Sequence, residues 1–280
     1  MEVIVMLSLL LFIIVSIPVA IRSKLRSRFP VRYTSQRTVV ALTYSPFCEK
    51  VFWSYDRCKV SYATRVVSQG FFPTTLLEYS AKSVPIIVDN GRVLRDSSMV
   101  LDGLSEEGHA WLYPSQAVRD LEGEFDEEFG RAVGRVVYHH LFTSEKGNAL
   151  LRRVWKVGVT PLERMLTDPL YPACRFAMMG GMGLPDGLPG FVAVVDKVFK
   201  RVSALLADGR RYLGSTQEMS AADLTFASLA YPLLLPDEKA NVFLSWADDL
   251  PEAYREDVRR LRETPAGRFV LRLYREERRV

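Results

Sequence analysis

Ser45 and Cys48 stand three positions apart in Thr43-Tyr44-Ser45-Pro46-Phe47-Cys48-Glu49-Lys50-Val51. A hydroxyl and a thiol at that spacing are this chain's leading candidates for thiol or nucleophilic chemistry, provided a helix begins between them. Ser45 is a favoured N-cap, and Pro46 suits the first helical position, where its missing N–H costs nothing. A helix N-terminus carries unpaired N–H groups and a partial positive charge, which favour an anion and can hold a thiolate. Ser-Pro alone is explained as well by plain capping. The apolar run Thr38–Leu42 leads into the turn and the amphipathic segment Val51–Cys58 leads out. The stretch therefore reads as strand, tight turn and helix.

The context downstream narrows the reading. Val84-Pro85-Ile86-Ile87-Val88 is a short apolar strand opened by proline, and Asp89-Asn90-Gly91 is a hairpin signal before the partner strand Arg92–Leu94. Asp96-Ser97-Ser98 then offers a second N-cap. Together these residues resemble the N-terminal domain of glutathione transferases. The resemblance implies that Ser45 is the catalytic residue of the first turn. It implies that Val84-Pro85 is a cis pair whose backbone meets the cysteinyl unit of glutathione, and that Asp96 and Ser97 hold the γ-glutamyl end. Redox members of that superfamily place cysteine first in the turn. Here Ser45 has that position and Cys48 has the place of the second, resolving cysteine, which argues against disulfide exchange but leaves a mixed disulfide at Cys48 open.

The elements that position these residues follow the order βαβ, then α, ββ, α: a strand at Thr38–Leu42, a helix from Pro46 to about Lys59, a strand at Val60–Val67, a short helix near Leu76–Tyr79, the hairpin, and a helix from Ser97 to about Glu106. This is the order of a thioredoxin-like fold. Residues 107–115 read as a linker, and residues 116–280 as an all-helical domain. In it Leu121, Phe125 and Phe129 recur every four residues, and the acids Glu122 to Glu128 read as a solvated face. Tyr138, His139 and His140 close that helix, where any of them could line a pocket or simply pack. Segments at Ala149–Val157 and Pro161–Leu166 read as helical. Residues 168–190 hold four prolines, five glycines and Met178, Met179 and Met182, and read as a long loop: a pocket cover, a membrane contact or a surface excursion. Met219-Ser220-Ala221-Ala222-Asp223-Leu224 is a capping box with a hydrophobic staple, opening an almost wholly apolar helix. The resemblance extends over residues 38–280 and includes the stretch from Thr264 to Phe269.

Of the chain's 280 residues, 48% are hydrophobic and 25% charged, enough for one large domain or two small ones. Cys48, Cys58 and Cys174 are too few and too scattered for a disulfide framework, and three histidines without a cysteine or carboxylate cluster give no metal site. Cys58 reads as a core residue. Val3–Ile21 is nineteen residues without a charge, about 28 Å as a helix and close to the thickness of a bilayer core. Arg22, Lys24, Arg26, Arg28, Arg32 and Arg37 follow it. The acidic Glu2, the length of the run and the lack of a small-residue cleavage site favour an anchor over a cleaved signal, and the basic flank puts the body on the cytoplasmic side. The anchor occupies residues 1–22 and a basic linker 23–37. Without that flank and Glu2 the chain has 31 basic against 32 acidic residues, so the body is nearly neutral and nucleic acid is not an expected partner.

The resemblance implies a membrane-anchored glutathione transferase with glutathione as co-substrate, no metal, and a small apolar electrophile or peroxide as second substrate. The membrane would be the endoplasmic reticulum or outer mitochondrial membrane in a eukaryote, and a homodimer is left open. Two other readings stand beside it: a non-catalytic adapter like the metaxins, and a thiol-redox or isomerase enzyme like the membrane-associated prostaglandin synthase.

Overall fold

The structure, a computed structural model, describes residues 36–184, 186–214, 217–239 and 248–278. The expected anchor and nearly all of the basic linker lie outside these residues. Among the described residues, no helix is long and apolar enough to cross a membrane.

The N-terminal part is β1 (Thr38–Ala41), α1 (Pro46–Arg57), β2 (Ala63–Val66), α2 (Phe72–Tyr79), β3 (Ile86–Asp89), β4 (Arg92–Leu94) and α3 (Ser97–Glu106). The sheet order is β2-β1-β3-β4, with β1 parallel to β2 and antiparallel to β3, and β3 antiparallel to β4. This is a thioredoxin-like sheet. Val39, Val40 and Ala41 are all buried, as an unbroken apolar run demands of a strand covered on both faces. Asn90 and Gly91 adopt φ of 45° and 83°, the pair of left-handed residues that a two-residue hairpin turn requires.

Among the described residues after α3, the regular structure is helical. α4 (Gln116–Glu124) passes through a π-helical turn, Phe125–Phe129, into α5 (Gly130–Thr143). There follow α6 (Glu145–Val154), α7 (Pro161–Gly181), α8 (Leu188–Leu205), α9 (Ala221–Leu234), α10 (Glu252–Arg262) and α11 (Pro265–Glu277). Every residue of α9 is buried, and the helix packs along α1. Phe226 of α9 meets Phe125, Phe129 and Phe199 at centroid distances of 5.2 to 5.6 Å. The box that opens α9 is present. Asp223 accepts from the Ser220 N–H at 2.8 Å, from the Ser220 hydroxyl at 2.6 Å and from the Leu213 N–H at 2.6 Å. One carboxylate thus caps the helix and fixes the preceding turn.

Two expectations fail here. Residues 168–190 are not a loop: α7 runs to Gly181, and α8 starts at Leu188. The helix begins in its own capping box, with the Thr160 N–H on Glu163 at 2.9 Å and the Glu163 N–H on Thr160 at 3.3 Å. Pro169 and Pro172 both face solvent, where carbonyls released from the ladder are hydrated, so the breaks are tolerated. The second strand is also shorter than Val60–Val67, because only Ala63–Val66 pairs with β1.

Candidate functional site

The turn between β1 and α1 is built as a cap. Ser45 has extended backbone, and its hydroxyl oxygen accepts from the Cys48 N–H at 3.4 Å. A hydroxyl keeps its own proton to donate while it accepts. α9 holds the turn from behind, where the Tyr231 hydroxyl donates to the Tyr44 carbonyl at 2.6 Å. Because Val40 of β1 pairs with Ile86 of β3, the residues just after β1 and just before β3 emerge side by side. Ser45 and Val84 therefore line one cavity of about 300 Å³. The Val84–Pro85 peptide bond is cis.

The opposite wall belongs to the helical domain: Gly134, Val137, Tyr138 and Leu141 of α5, with Met178 and Met182 at the end of α7. The lining is mostly apolar. Gln69 crosses it, accepting from the Tyr44 hydroxyl at 3.0 Å and lying 3.4 Å from the Met178 sulfur. Burial raises the pKa of Tyr44 and of Tyr138, so both phenols stay neutral. Gly130 makes the close approach possible, since a Cβ there would stand 2.6 Å from the Phe47 ring.

The other sequence candidates are placed differently. Cys48 is wholly buried and does not line the cavity. Burial pushes its thiol up to about 12, against the opposing pull of the Ser45 hydroxyl. The expectation that this thiol would be activated by the helix N-terminus yields to desolvation of its charged form. Iodoacetamide at neutral pH is accordingly expected to leave Cys48 unmodified in the folded protein and to label it after unfolding, as read by peptide mass spectrometry. Rapid native labelling would contradict the burial.

Asp96 caps α3, accepting from the Ser98 N–H at 2.8 Å, and is exposed. Ser97 is buried, with its hydroxyl 3.5 Å from Asp126. Neither lines the cavity, and nor does Pro85. Of the aromatic residues closing α5, Tyr138 reaches the cavity. His140 instead bonds Asp257 at 2.9 Å and stacks on Tyr254. Cys58 is half-buried against the core, and burial pushes its thiol up to about 11. Among the described residues, no group of His, Cys, Asp and Glu is arranged to hold a metal.

The sequence reading missed what lies under Ser97. Lys50 of α1 is 0% exposed and pairs with Glu122, also buried, and with Asp126 at 2.6 Å. Ser98 donates to Glu122 at 3.0 Å, Lys50 donates to Ser98 at 2.9 Å, and Thr225 of α9 approaches Glu122 at 3.4 Å. Glu122 is therefore not on a solvated face. The available signal was that Glu122 and Asp126, four apart, share one helix face with the buried Val118, Leu121 and Phe125 close by.

No curated protein matches this chain. Residues 40–108 match the family model described as glutathione S-transferase, N-terminal domain. Among solved structures, a glutathione S-transferase of Ceriporiopsis subvermispora in complex with glutathione has TM-score 0.53 at 17% identity, covering 88% of this chain and 98% of that one. A second from that fungus, also in complex with glutathione, has TM-score 0.51 at 13% identity over 86% and 98%. The glutathione transferase GSTFuA3 of Phanerochaete chrysosporium has TM-score 0.52 at 14% identity over 81% and 96%. Residues 40–108 thus match the glutathione S-transferase N-terminal domain family, and the chain shares the glutathione transferase fold.

Proposed function

We propose that this protein is a glutathione transferase. The observation that carries the reading is the convergence of the Ser45 hydroxyl, at the N-terminus of α1, with Val84 on one cavity whose far wall is apolar. A free thiol ionises near pH 8.5, so at neutral pH only a few per cent is thiolate. A hydroxyl donor and a helix N-terminus lower that value and present a nucleophile. The thiolate attacks an electrophilic carbon or a peroxide oxygen bound against Val137, Leu141 and Met178, and the leaving group departs with the displaced electron pair. Glutathione-bound neighbours of the same fold support the choice of thiol. In this reading Val84 offers backbone to the cysteinyl unit, and Asp96 and Ser97 grip the γ-glutamyl end. The burial of Cys48 favours conjugation over thiol-disulfide exchange.

Calorimetric titration of the full chain with glutathione, followed by turnover of a generic aromatic electrophile, tests the reading. Saturable binding with turnover is expected. Neither binding nor turnover would replace it with the adapter reading.

The uncharged run Val3–Ile21 and its basic flank support a single-pass anchor with the body on the cytoplasmic side. The protein is expected to stay in the membrane pellet through carbonate extraction, and its body to be digested by protease added to intact vesicles. A protease-protected body would reverse the topology.

A further inference from the structure

α7 carries an apolar stripe that none of the described residues covers. Leu162, Met165, Pro169, Pro172 and Phe176 recur at intervals of three and four, so they share one helix face. All five are exposed: Leu162 58%, Met165 66% and Phe176 77%. The stripe is about 21 Å long at 1.5 Å per residue. The opposite face of the helix is the one that packs. Thr167 and Tyr171 are buried, Tyr171 donates to Asn148 at 2.6 Å, and Leu170 sits against Gly70. The exposure of the stripe is therefore not a consequence of a loosely attached helix.

We infer that the α7 stripe lies in the headgroup layer of the membrane to which the chain is anchored. Three observations point to a bilayer. First, the segment formed by α6 and α7 is net basic. Residues 145–176 hold six basic and three acidic side chains, whereas the body as a whole is almost balanced. Of these, Glu163 is held in its capping box, Asp168 and Lys156 pair with each other at 2.6 Å, Arg153 pairs with Asp249 at 2.6 Å and Arg175 donates to the Phe142 carbonyl, which leaves Lys146, Arg152 and Arg164 against Glu145. A net basic pair of helices with an apolar face matches anionic headgroups above acyl chains. Second, residues 22–35 between the uncharged run and the described body can extend to about 50 Å at most, so the body stays close to the bilayer that holds residues 3–21. Third, the size fits. The stripe offers roughly a few hundred Å², which suits an interfacial helix but falls short of the ~800 Å² per partner typical of a stable protein interface. The consequence is orientation: Met178 and Met182, on the last turn of the same helix and just beyond it, line the cavity, so docking α7 holds the cavity mouth near the lipid surface from which an apolar substrate partitions.

This inference rests on the anchor reading, and the test separates the two. The full chain, with Cys58 and Cys174 replaced by serine, carries an environment-sensitive nitrobenzoxadiazole label at Phe176→Cys and, in a control, at the exposed Glu128→Cys. Each is reconstituted into vesicles of phosphatidylcholine and phosphatidylserine, with and without brominated acyl chains. The label at position 176 is expected to emit to the blue of the control and to lose at least half its intensity to brominated lipid, while the control loses little. Equal emission and equal quenching at both positions would overturn the contact. A blue shift that needs high protein concentration and ignores brominated lipid would overturn it in favour of a second copy of this chain. Carbonate extraction of the same vesicles reads the anchor independently. A released chain with a quenched 176 label keeps the contact and removes the anchor; a retained chain with an unquenched label does the reverse.

Discussion

Ser45→Ala is expected to lower glutathione conjugation by about 10²–10³, the usual cost of removing one donor aimed at a developing or resident anion. Glutathione should still bind, because the hydroxyl favours the thiolate over the thiol rather than gripping the peptide. The sign follows from linkage. A donor to the charged form lowers the bound thiol's pKa, so without it the thiol titrates closer to its ordinary value near 8.5. The rate of the variant should therefore keep climbing with pH through the range where the parent has levelled off, and the ultraviolet thiolate absorbance of the bound complex should shift with it. Loss of the cap itself costs about 0.5–2 kcal/mol of stability, so Ser45→Thr, which keeps a hydroxyl in the same cap, is the control and should retain most activity. Asp96→Ala should behave oppositely, weakening glutathione binding with less effect at saturation. A silent Ser45→Ala would remove the mechanism.

The second large effect belongs to Lys50. Its ammonium is wholly buried between Glu122 and Asp126 and bonded to Ser98, so it joins α1, the start of α3 and α4 in one cluster. Removing one partner of a buried ion pair leaves the other charge desolvated and uncompensated, at a cost of about 3–5 kcal/mol. Lys50→Met should accordingly lower the melting temperature by roughly 10 °C, given about 2–4 °C per kcal/mol for a domain of this size. Lys50→Met combined with Glu122→Gln should recover part of that loss, since it deletes the more buried of the two stranded carboxylates, and a double-mutant cycle measures the coupling. Because Asp126 also touches Ser97, glutathione affinity should fall in Lys50→Met even at temperatures where the variant stays folded. If the single variant melts with the parent, the cluster is hydrated and does not hold the domains together.

The C-terminal segment adds a second clasp on α1. Arg278 bonds Glu49 at 2.9 Å and Asp56 at 2.9 Å, and Arg57 bonds Glu277 at 2.9 Å. The helix that carries Ser45 is therefore tied to the helical domain by α9 from below, by Glu122 and Asp126 on one side and by the chain's end on the other. A donor that must sit within hydrogen-bond reach of a thiolate needs that rigidity.

What the sequence determined by itself was local. Ser45 with Pro46, Asp89-Asn90-Gly91, Asp96-Ser97 and the Ser220–Asp223 box each state their conformation within a few residues, through capping and turn chemistry that needs no distant partner. The order of strands and helices followed from those punctuation marks. Tertiary structure decided the rest. Whether the Cys48 thiol faced a ligand or the core depended on how α9 lies against α1, and burial pushes that thiol's pKa up. Whether Glu122 was solvated depended on Lys50, seventy-two positions earlier. Residues 168–190, with Pro169 and Pro172, read as a loop because sequence does not show which side of a helix meets water. Both prolines face outward, where the released carbonyls are hydrated, and the helix continues past them to bring Met178 and Met182 to the cavity. Each of these outcomes turns on desolvation, which is set by what packs against a residue and not by its neighbours in the chain.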